Sequence, residues 1–175
     1  MQLLLPHDTK LLDDKAEIPE QMQVVLAGRS PEDEERANNQ FLKAMTTSDI
    51  RFDKAQAVVV NGRGLRELPE EIARLWKLEI LCATDKFLES LPANIGQLRR
   101  LRHLNLHNNR VVGLPRTFVQ LDKLEKVFLT GNQVRRLPED IGRLRNLKLV
   151  CLDNNQVRAL PESFGSLYNL RDLRF

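Results

Sequence analysis

Cys151 and Asp153, two residues apart in the stretch LVCLDNN, are the first residues of this chain whose types and spacing could support chemistry. A cysteine attacks as its thiolate, which forms when a neighbouring group takes the proton of the thiol, so a thiol beside a carboxylate can be a nucleophile beside its acid/base helper. The alternative is that both side chains share one face of a strand, because residues i and i+2 of a strand lie on the same side.

A second pair, His103 and His107, lies four residues apart. On a helix this spacing brings two imidazoles to one metal ion. On a strand the same spacing separates them by about 13 Å, and Asn105 then lies between them on the same face. The strand alternative favours contacts with a partner over a metal site.

The elements that must position these residues repeat along the chain. Leu-Pro occurs five times at intervals of 23 residues, at 68–69, 91–92, 114–115, 137–138 and 160–161. Alignment on these pairs gives five complete repeats at 55–77, 78–100, 101–123, 124–146 and 147–169, and LRDLRF begins a sixth. A strict period of this kind predicts a solenoid of stacked units.

Apolar residues recur at fixed positions of the 23-residue repeat. Positions 4 and 6 predict a short strand whose apolar side chains point inward. Positions 11, 14, 18 and 21 complete an apolar column that only stacked repeats can bury. The Pro after position 14 predicts a short helical or 3-10 segment on the convex side.

This pattern resembles the leucine-rich repeat in its 23-residue form, LxxLxLxxNxLxxLPxxIxxLxx, over about 70% of the chain. It is similar to the repeats of intracellular Ras-group and Scribble-like proteins and of bacterial proteins. The resemblance implies an α/β solenoid, a right-handed horseshoe arc with a concave parallel sheet and short helical or 3-10 convex segments. It also implies a protein-binding module, such as a signalling adaptor for a small GTPase-type regulator, although a shared fold does not establish a shared partner.

The Cys-x-Asp triplet is also similar to one in a class of bacterial ubiquitin ligases that carry leucine-rich repeats. In that class the triplet lies in a separate helical domain, whereas Leu152 occupies a core position of the repeat here. On a strand, Cys151 and Asp153 would be about 6.5–7 Å apart. We therefore expect no catalytic residue, no metal and no cofactor.

Positions 3, 5, 7 and 8 are expected to face outward on the concave sheet, with Cys82 and Cys151 exposed to solvent. Phe128 is the expected anchor of an apolar patch, because outward apolar residues gain nothing from the core behind them. Alternatively, these apolar residues are scattered or covered by a chain terminus. The predicted partner-binding residues are Ile80, Cys82, His103, Asn105, His107, Lys126, Phe128, Thr130, Leu149, Cys151 and Asp153.

Position 9 is predicted to form a structural ladder of Asn109, Asn132 and Asn155, whose amides satisfy backbone groups at the turns. Arg63 and Lys86 occupy this position in the first two repeats. Looser turns are expected there, at 61–65 and 84–88.

Residues 1–54 do not follow the repeat and predict a helical capping region for the repeats of 55–175. The part before Glu17 is expected to be poorly ordered. Ser30 and Pro31 predict the start of one helix, and EIPEQMQVVLAGR predicts a second, shorter helix from about residue 19 to 27. The acidic segment could instead be a docking element for another protein.

The formal net charge of +3 divides into −4 for residues 1–54 and +7 for residues 55–175. The basic part fits an acidic protein surface or plain solvation, and without interleaved aromatics no nucleic-acid partner is expected. Its Arg-rich edge comprises Arg99, Arg100, Arg102, Arg135, Arg136, Arg143, Arg145 and Lys148.

The composition, 42% hydrophobic and 29% charged, is that of a soluble globular protein. The sequence contains no apolar run that could span a bilayer, and its first residues, MQLLLPHDTK, contain no basic segment of the kind that opens a secretory signal. No membrane association is therefore expected. Two cysteines cannot form a disulfide framework, so a cytoplasmic location is expected, or the host cytosol for a secreted bacterial effector.

Three functions remain open from the sequence. The first is a module that binds a partner protein on its concave face. The second is the recognition domain of a larger protein, such as a bacterial effector or ligase with its catalytic part elsewhere. The third is a structural repeat protein that self-associates through the apolar edge at Phe175.

Overall fold

A computed structural model describes residues 23–26, 55–60, 66–84 and 87–175. The helix expected from Ser30, the disorder expected before Glu17, and position 9 of the first two repeats lie outside the described residues.

In the described part of the chain, seven short parallel strands form one sheet, and they neighbour each other in chain order. From β2 onward each residue pairs with its equivalent in the next repeat, as Ala57 does with Ile80. The predicted solenoid with a parallel sheet is confirmed, because this register keeps each repeat position in one column across the sheet. The strands are β1 (Gln23–Leu26), β2 (Ala57–Val60), β3 (Ile80–Cys82), β4 (His103–Asn105), β5 (Lys126–Phe128), β6 (Leu149–Cys151) and β7 (Asp172–Arg174).

The first strand corrects one prediction. Gln23–Leu26 pairs in parallel with Ala57–Val60, where the sequence favoured a short helix from about residue 19 to 27. Val24 and Val25 are β-branched and favour an extended backbone, and the edge of β2 offers backbone groups that only another strand can pair. Pairing with the sheet therefore outweighs the local helix signal.

Each complete repeat returns along the convex side through a 3-10 helix. In the first, third and fifth repeats this helix follows directly after the Pro of Leu-Pro, whose φ lies between −67° and −65°. In the second and fourth repeats it is shorter and follows Asn94 or Asp140. The helices are Glu70–Arg74, Ile95–Gln97, Arg116–Gln120, Ile141–Arg143 and Glu162–Ser166. Within the described part of the chain, no helix is long and apolar enough to cross a membrane.

The hydrophobic core lies between the sheet and the 3-10 helices. Positions 4 and 6 of all five complete repeats are buried, as predicted, and so is position 21. Positions 11, 14 and 18 are buried through most of the described arc. Leu114 at position 14 of the third repeat is partly buried, and all three positions become partly exposed in the fifth repeat at Val157, Leu160 and Phe164.

The asparagines at position 9 hold the turn that follows each strand. Asn132 Nδ2 donates to the backbone carbonyls of Leu106 (2.8 Å) and Leu129 (2.9 Å), and its Oδ1 accepts from the Val111 N–H (2.9 Å). Each amide thereby satisfies backbone groups of two successive repeats. The same contacts recur in the predicted ladder of Asn109, Asn132 and Asn155.

Position 8 has a backbone conformation that the sequence reasoning missed. Asn108 and Asn154 have φ of 54° and 55°, and Gly131 has φ of 72°. This left-handed region is costly for most residues but accessible to Gly and Asn. It turns the chain at the end of the strand, so that the following asparagine points inward. The signal was present in the pairs Asn-Asn and Gly-Asn.

Candidate functional site

Two columns of side chains run across the concave side of the sheet. At position 3 the strand register pairs Ile80 with His103, His103 with Lys126, and Lys126 with Leu149. At position 5 it aligns Cys82, Asn105, Phe128 and Cys151 in the same way. The register therefore brings together the strand residues of the predicted partner-binding set, and His107, Thr130 and Asp153 follow at position 7.

The exposure of these side chains is smaller than the sequence indicated. Ile80 (5% exposed), Asn105 (6%) and Cys151 (3%) are buried, which corrects the prediction of an open apolar patch. Strands lie about 4.8 Å apart, so neighbours within a column cover much of each other's surface. The other predicted residues are half-buried: Cys82, His103, His107, Lys126, Phe128, Thr130, Leu149 and Asp153.

Asn105 is buried, and its side chain makes a hydrogen bond within the protein. Its Oδ1 accepts a hydrogen bond from the His107 N–H at 3.0 Å. An amide that satisfies the backbone two residues later stabilises a turn, in the manner of an Asx turn. The strand end is thus held in place beside Phe128, its neighbour in the column.

Cys151 was expected to face solvent, but it lies between Phe128 and Arg174 in its column. Burial raises the pKa of the Cys151 thiol; Arg174 opposes this effect, while the Asp153 and Asp172 carboxylates add to it. The protonated thiol is therefore favoured at neutral pH, the opposite of what activates a nucleophile. Neither cysteine is part of a disulfide.

His103 is half-buried within its column. Burial and then the neighbouring Lys126 lower the pKa of its imidazole, although Glu125 opposes them. The neutral imidazole dominates at pH 7, so His103 offers one donor and one acceptor to a partner without adding charge. The described residues contain no group of three or more His, Cys, Asp and Glu side chains that could hold a metal ion.

Two further residues of the concave face, Asp172 and Arg174 on β7, were missed by the sequence reasoning. They continue the columns beyond Leu149 and Cys151. Arg174 Nη2 lies 2.9 Å from Asp172 Oδ2. The sequence contains the signal, because LRDLRF repeats the spacing of the earlier strands.

The Arg-rich edge expected from the sequence is not one surface. Its Arg99, Arg100, Arg102, Arg145 and Lys148 lie where the chain rises from a 3-10 helix to the next strand. We call this side the ascending flank, made of residues 76–79, 99–102, 122–125, 145–148 and 168–171. Arg135 and Arg136 lie on the opposite flank, where the chain descends from the strands, and Arg143 lies in a convex 3-10 helix.

Residues 77–134 match the family model of the leucine-rich repeat. The strand, the asparagine ladder and the 3-10 return recur in register with this match. The repeats of this chain are leucine-rich repeats. No curated protein matches the chain in sequence.

Solved structures of other leucine-rich-repeat proteins share the fold. A leucine-rich-repeat protein of Leptospira interrogans is 34% identical with a TM-score of 0.68, over 77% of this chain and 34% of its own. The leucine-rich-repeat domain of the type III effector XopL is 25% identical with a TM-score of 0.64, over 81% of this chain and 49% of its own.

A plant structure is also similar. The leucine-rich-repeat ectodomain of the receptor kinase SOBIR1 from Arabidopsis thaliana is 27% identical with a TM-score of 0.57, over 66% of this chain and 67% of its own. This chain therefore spans about a third of the Leptospira protein and about half of the XopL domain.

Proposed function

We propose that this leucine-rich-repeat arc binds a partner protein across its concave sheet. The observation that carries the proposal is the half-buried Phe128, which lies beside Cys151 on one side and Asn105 on the other. An aromatic side chain that is already held by neighbours loses little conformational entropy on binding, and such residues dominate the energies of protein interfaces.

The charged side chains around Phe128 are distributed unevenly across the concave face. His103 lies on the preceding strand and Lys126 on the strand of Phe128 itself. Asp153, Asp172 and Arg174 lie toward the last two strands. Thr130 Oγ1 lies 3.4 Å from Asp153 Oδ2. A complementary partner inserts an apolar side chain beside Phe128, with an acceptor facing Lys126 and a donor facing Asp153.

A signalling adaptor in the cytoplasm, with a small GTPase-type or other regulatory partner, is one use of this surface. The second candidate is the recognition domain of a larger protein. It is favoured by the similarity to the repeat domain of the type III effector XopL, of which this chain spans 49%. In that case the concave face selects a target for chemistry carried out elsewhere in the protein.

Capture and affinity measurements with Phe128→Gln test the concave-face proposal. The partner is first identified by crosslinking in lysate of the source cell and mass spectrometry, and its affinity is then measured by calorimetry. Phe128→Gln is expected to weaken binding by about tenfold or more, as for a central aromatic residue of an interface. Tyr168→Gln, which changes an 84% exposed aromatic on the ascending flank, is the matched control and should bind as wild type.

Equal affinity of the wild type and Phe128→Gln for the identified partner would remove the concave face as the binding site. Thermal unfolding of both variants separates loss of binding from loss of fold. Tighter binding by a longer protein that contains this chain would favour the recognition-domain candidate.

Self-association is a third candidate, since Leu173 and Phe175 at the last strand are 39% and 61% exposed. Light scattering tests it, because Leu173→Glu should convert a dimer into a monomer. A wild type that is monomeric at high concentration would exclude it.

A further inference from the structure

The ascending flank carries a surplus of positive charge. It contains eight Lys and Arg residues and three carboxylates, a net charge of +5. The opposite flank, at 66–70, 87–93, 110–116, 133–139 and 156–162, contains six Lys and Arg residues and five carboxylates, a net charge of +1. The excess charge of the repeats is therefore concentrated on one side of the arc.

Backbone hydrogen bonds hold this flank in register. The N–H groups of Arg102, Glu125, Lys148 and Arg171 each donate to the carbonyl of the equivalent residue in the preceding repeat, at 2.8 Å. Successive side chains at this position are therefore spaced by about 4.8 Å, as neighbouring strands are. Arg171 lies at this position, whereas Lys123 and Arg145 lie in the turns that precede it in their segments. The turn at Arg145 is tied to the next repeat, because Asn169 Nδ2 donates to the Arg145 carbonyl at 2.6 Å.

The three carboxylates of the ascending flank are already paired within it. Glu125 contacts Arg102 at 2.9 Å and Lys148 at 2.6 Å, and Arg102 also lies 3.8 Å from Glu79. Asp122 contacts Arg99 at 3.0 Å. These pairs leave no carboxylate of the flank for its remaining cations.

Five cations of the flank have no carboxylate partner among these pairs. Two of them lie over the Trp76 ring, and the other three are Lys123, Arg145 and Arg171. All three are exposed, and within the described part of the chain their side chains make no ion pair or hydrogen bond. An exposed guanidinium group can bind a carboxylate through two parallel hydrogen bonds, and an exposed ammonium group can bind one as a point charge. These three cations therefore have no anionic partner within the described part of the chain.

The aromatic residues of the flank distinguish between two kinds of anionic partner. Trp76 is 52% exposed, but Lys77 Nζ lies 4.8 Å and Arg100 Cζ 5.3 Å from its ring centroid. Single-stranded nucleic acid binds by stacking bases on open aromatic faces, and cations already cover this ring. The other aromatic of the flank, Tyr168, lies open at its far end, and a single open ring favours carboxylates over bases.

We propose that the ascending flank binds an extended acidic segment of another protein, through Lys123, Arg145 and Arg171. These three cations lie in successive segments of the flank and span two repeat steps, or about 10 Å, which about three residues of an extended peptide cover. The site is separate from the concave face and can act together with it or alone.

Fluorescence anisotropy with a labelled octaglutamate peptide tests the proposal, and octaglutamine is the neutral probe. The triple variant Lys123→Glu, Arg145→Glu and Arg171→Glu is expected to weaken octaglutamate binding by about tenfold or more near 0.1 M salt. The matched control, Arg116→Glu, Arg136→Glu and Arg158→Glu, makes the same change in net charge on the opposite flank. It should weaken binding by less than about threefold, because only long-range charge is altered.

Equal weakening by the two triple variants would overturn the proposal, since net charge alone would then explain binding. So would octaglutamine binding as tightly as octaglutamate, or a failure of the wild type to bind octaglutamate. Tighter binding of an eight-nucleotide oligothymidylate would assign the flank to nucleic acid instead. Circular dichroism checks the fold, and the same substitutions to Gln provide a milder second set. Phe128→Gln should bind octaglutamate as wild type, so the two proposals can fail independently.

Discussion

The fourth and fifth repeats have the same apolar pattern, but the structure buries them differently. Leu137 of the fourth repeat is 6% exposed, whereas Leu160 at the same position of the fifth is 37% exposed. Val134 is buried, and its equivalent Val157 is only partly buried. The burial of a repeat is therefore determined by the repeat that follows it as well as by its own sequence.

This difference has an energetic consequence, because each repeat contacts only its neighbours. A central repeat is stabilised from two sides, whereas the fifth is followed in the described structure by β7 alone. We expect the fifth repeat to open locally at a lower free energy than the centre. Substitutions at equivalent positions measure this difference directly.

The largest effect is expected at position 18. Phe118 is fully buried, and Phe164 is only partly buried at the same position of the fifth repeat. Phe118→Ala should lower the free energy of unfolding by about 3–5 kcal/mol, because it removes buried surface and leaves a cavity. Phe164→Ala should cost about half as much. Urea denaturation followed by circular dichroism measures both, and equal costs would contradict the neighbour effect.

A smaller but sharper difference is expected at two glycines of the convex side. A methyl group on Gly142 would clash with the backbone carbonyl of Ser163 in the next repeat, whereas one on Gly165 would meet nothing. Gly142→Ala should cost about 1–3 kcal/mol, the usual cost of overpacking. Gly165→Ala should be neutral or stabilising, because it reduces the entropy of the unfolded chain. Thermal unfolding of the two variants checks the prediction; destabilisation by Gly165→Ala would count against it.

The asparagine ladder provides a third comparison. Asn132 is buried, whereas Asn155 is only partly buried. Asn132→Ala should cost about 2 kcal/mol, because the Leu106 and Leu129 carbonyls and the Val111 N–H lose a buried partner. Asn155→Ala should cost about 1 kcal/mol or less, since water reaches the groups it leaves. Hydrogen exchange of the Val111 and Val134 amides reports the two losses separately.

The smallest effect is expected for Glu125, at the centre of the ascending flank. Burial alone would raise the pKa of this carboxyl, but Lys148 and Arg102 outweigh it and hold the pKa below its usual value. The stabilisation is therefore present above pH 4.5 and lost as the pH falls through the lower folded-state pKa.

Glu125→Gln should accordingly cost less than about 1 kcal/mol at pH 7, and the difference from wild type should shrink in acid. Glu162→Gln, at an exposed carboxylate of the fifth repeat without an ion pair among the described residues, is the control. Urea denaturation at pH 7 and pH 3 makes the comparison. A Glu125→Gln deficit that persists at pH 3 would show that its charge is not the cause.

Most of the repeat could be predicted from residue patterns, because its period and alternation are local properties. The inward direction of Val150 and Leu152 follows from the alternation along one strand, and the ladder of Asn109, Asn132 and Asn155 follows from a polar residue at a fixed position. The strand Gln23–Leu26 could not be predicted in this way, because it depends on pairing with β2, which is distant in the sequence.

The candidate site was predicted less completely than the fold. Alternation places Cys151 and Asn105 on the concave side, but their burial depends on neighbours in the adjacent repeats. Asp172 and Arg174 were missed although their spacing was visible. The Arg-rich pattern predicts one basic edge that includes Arg102 and Lys148, whereas in the structure Glu125 pairs with both.

The sequence by itself determined which side chains point into the core, which share a column and where each turn occurs, because a strict period repeats one local geometry. Tertiary structure decided which outward residues remain accessible and which cations keep a charge without a counter-ion. Both depend on contacts between repeats. In the stretch LVCLDNN, alternation directs Cys151 outward, and packing between Phe128 and Arg174 buries it.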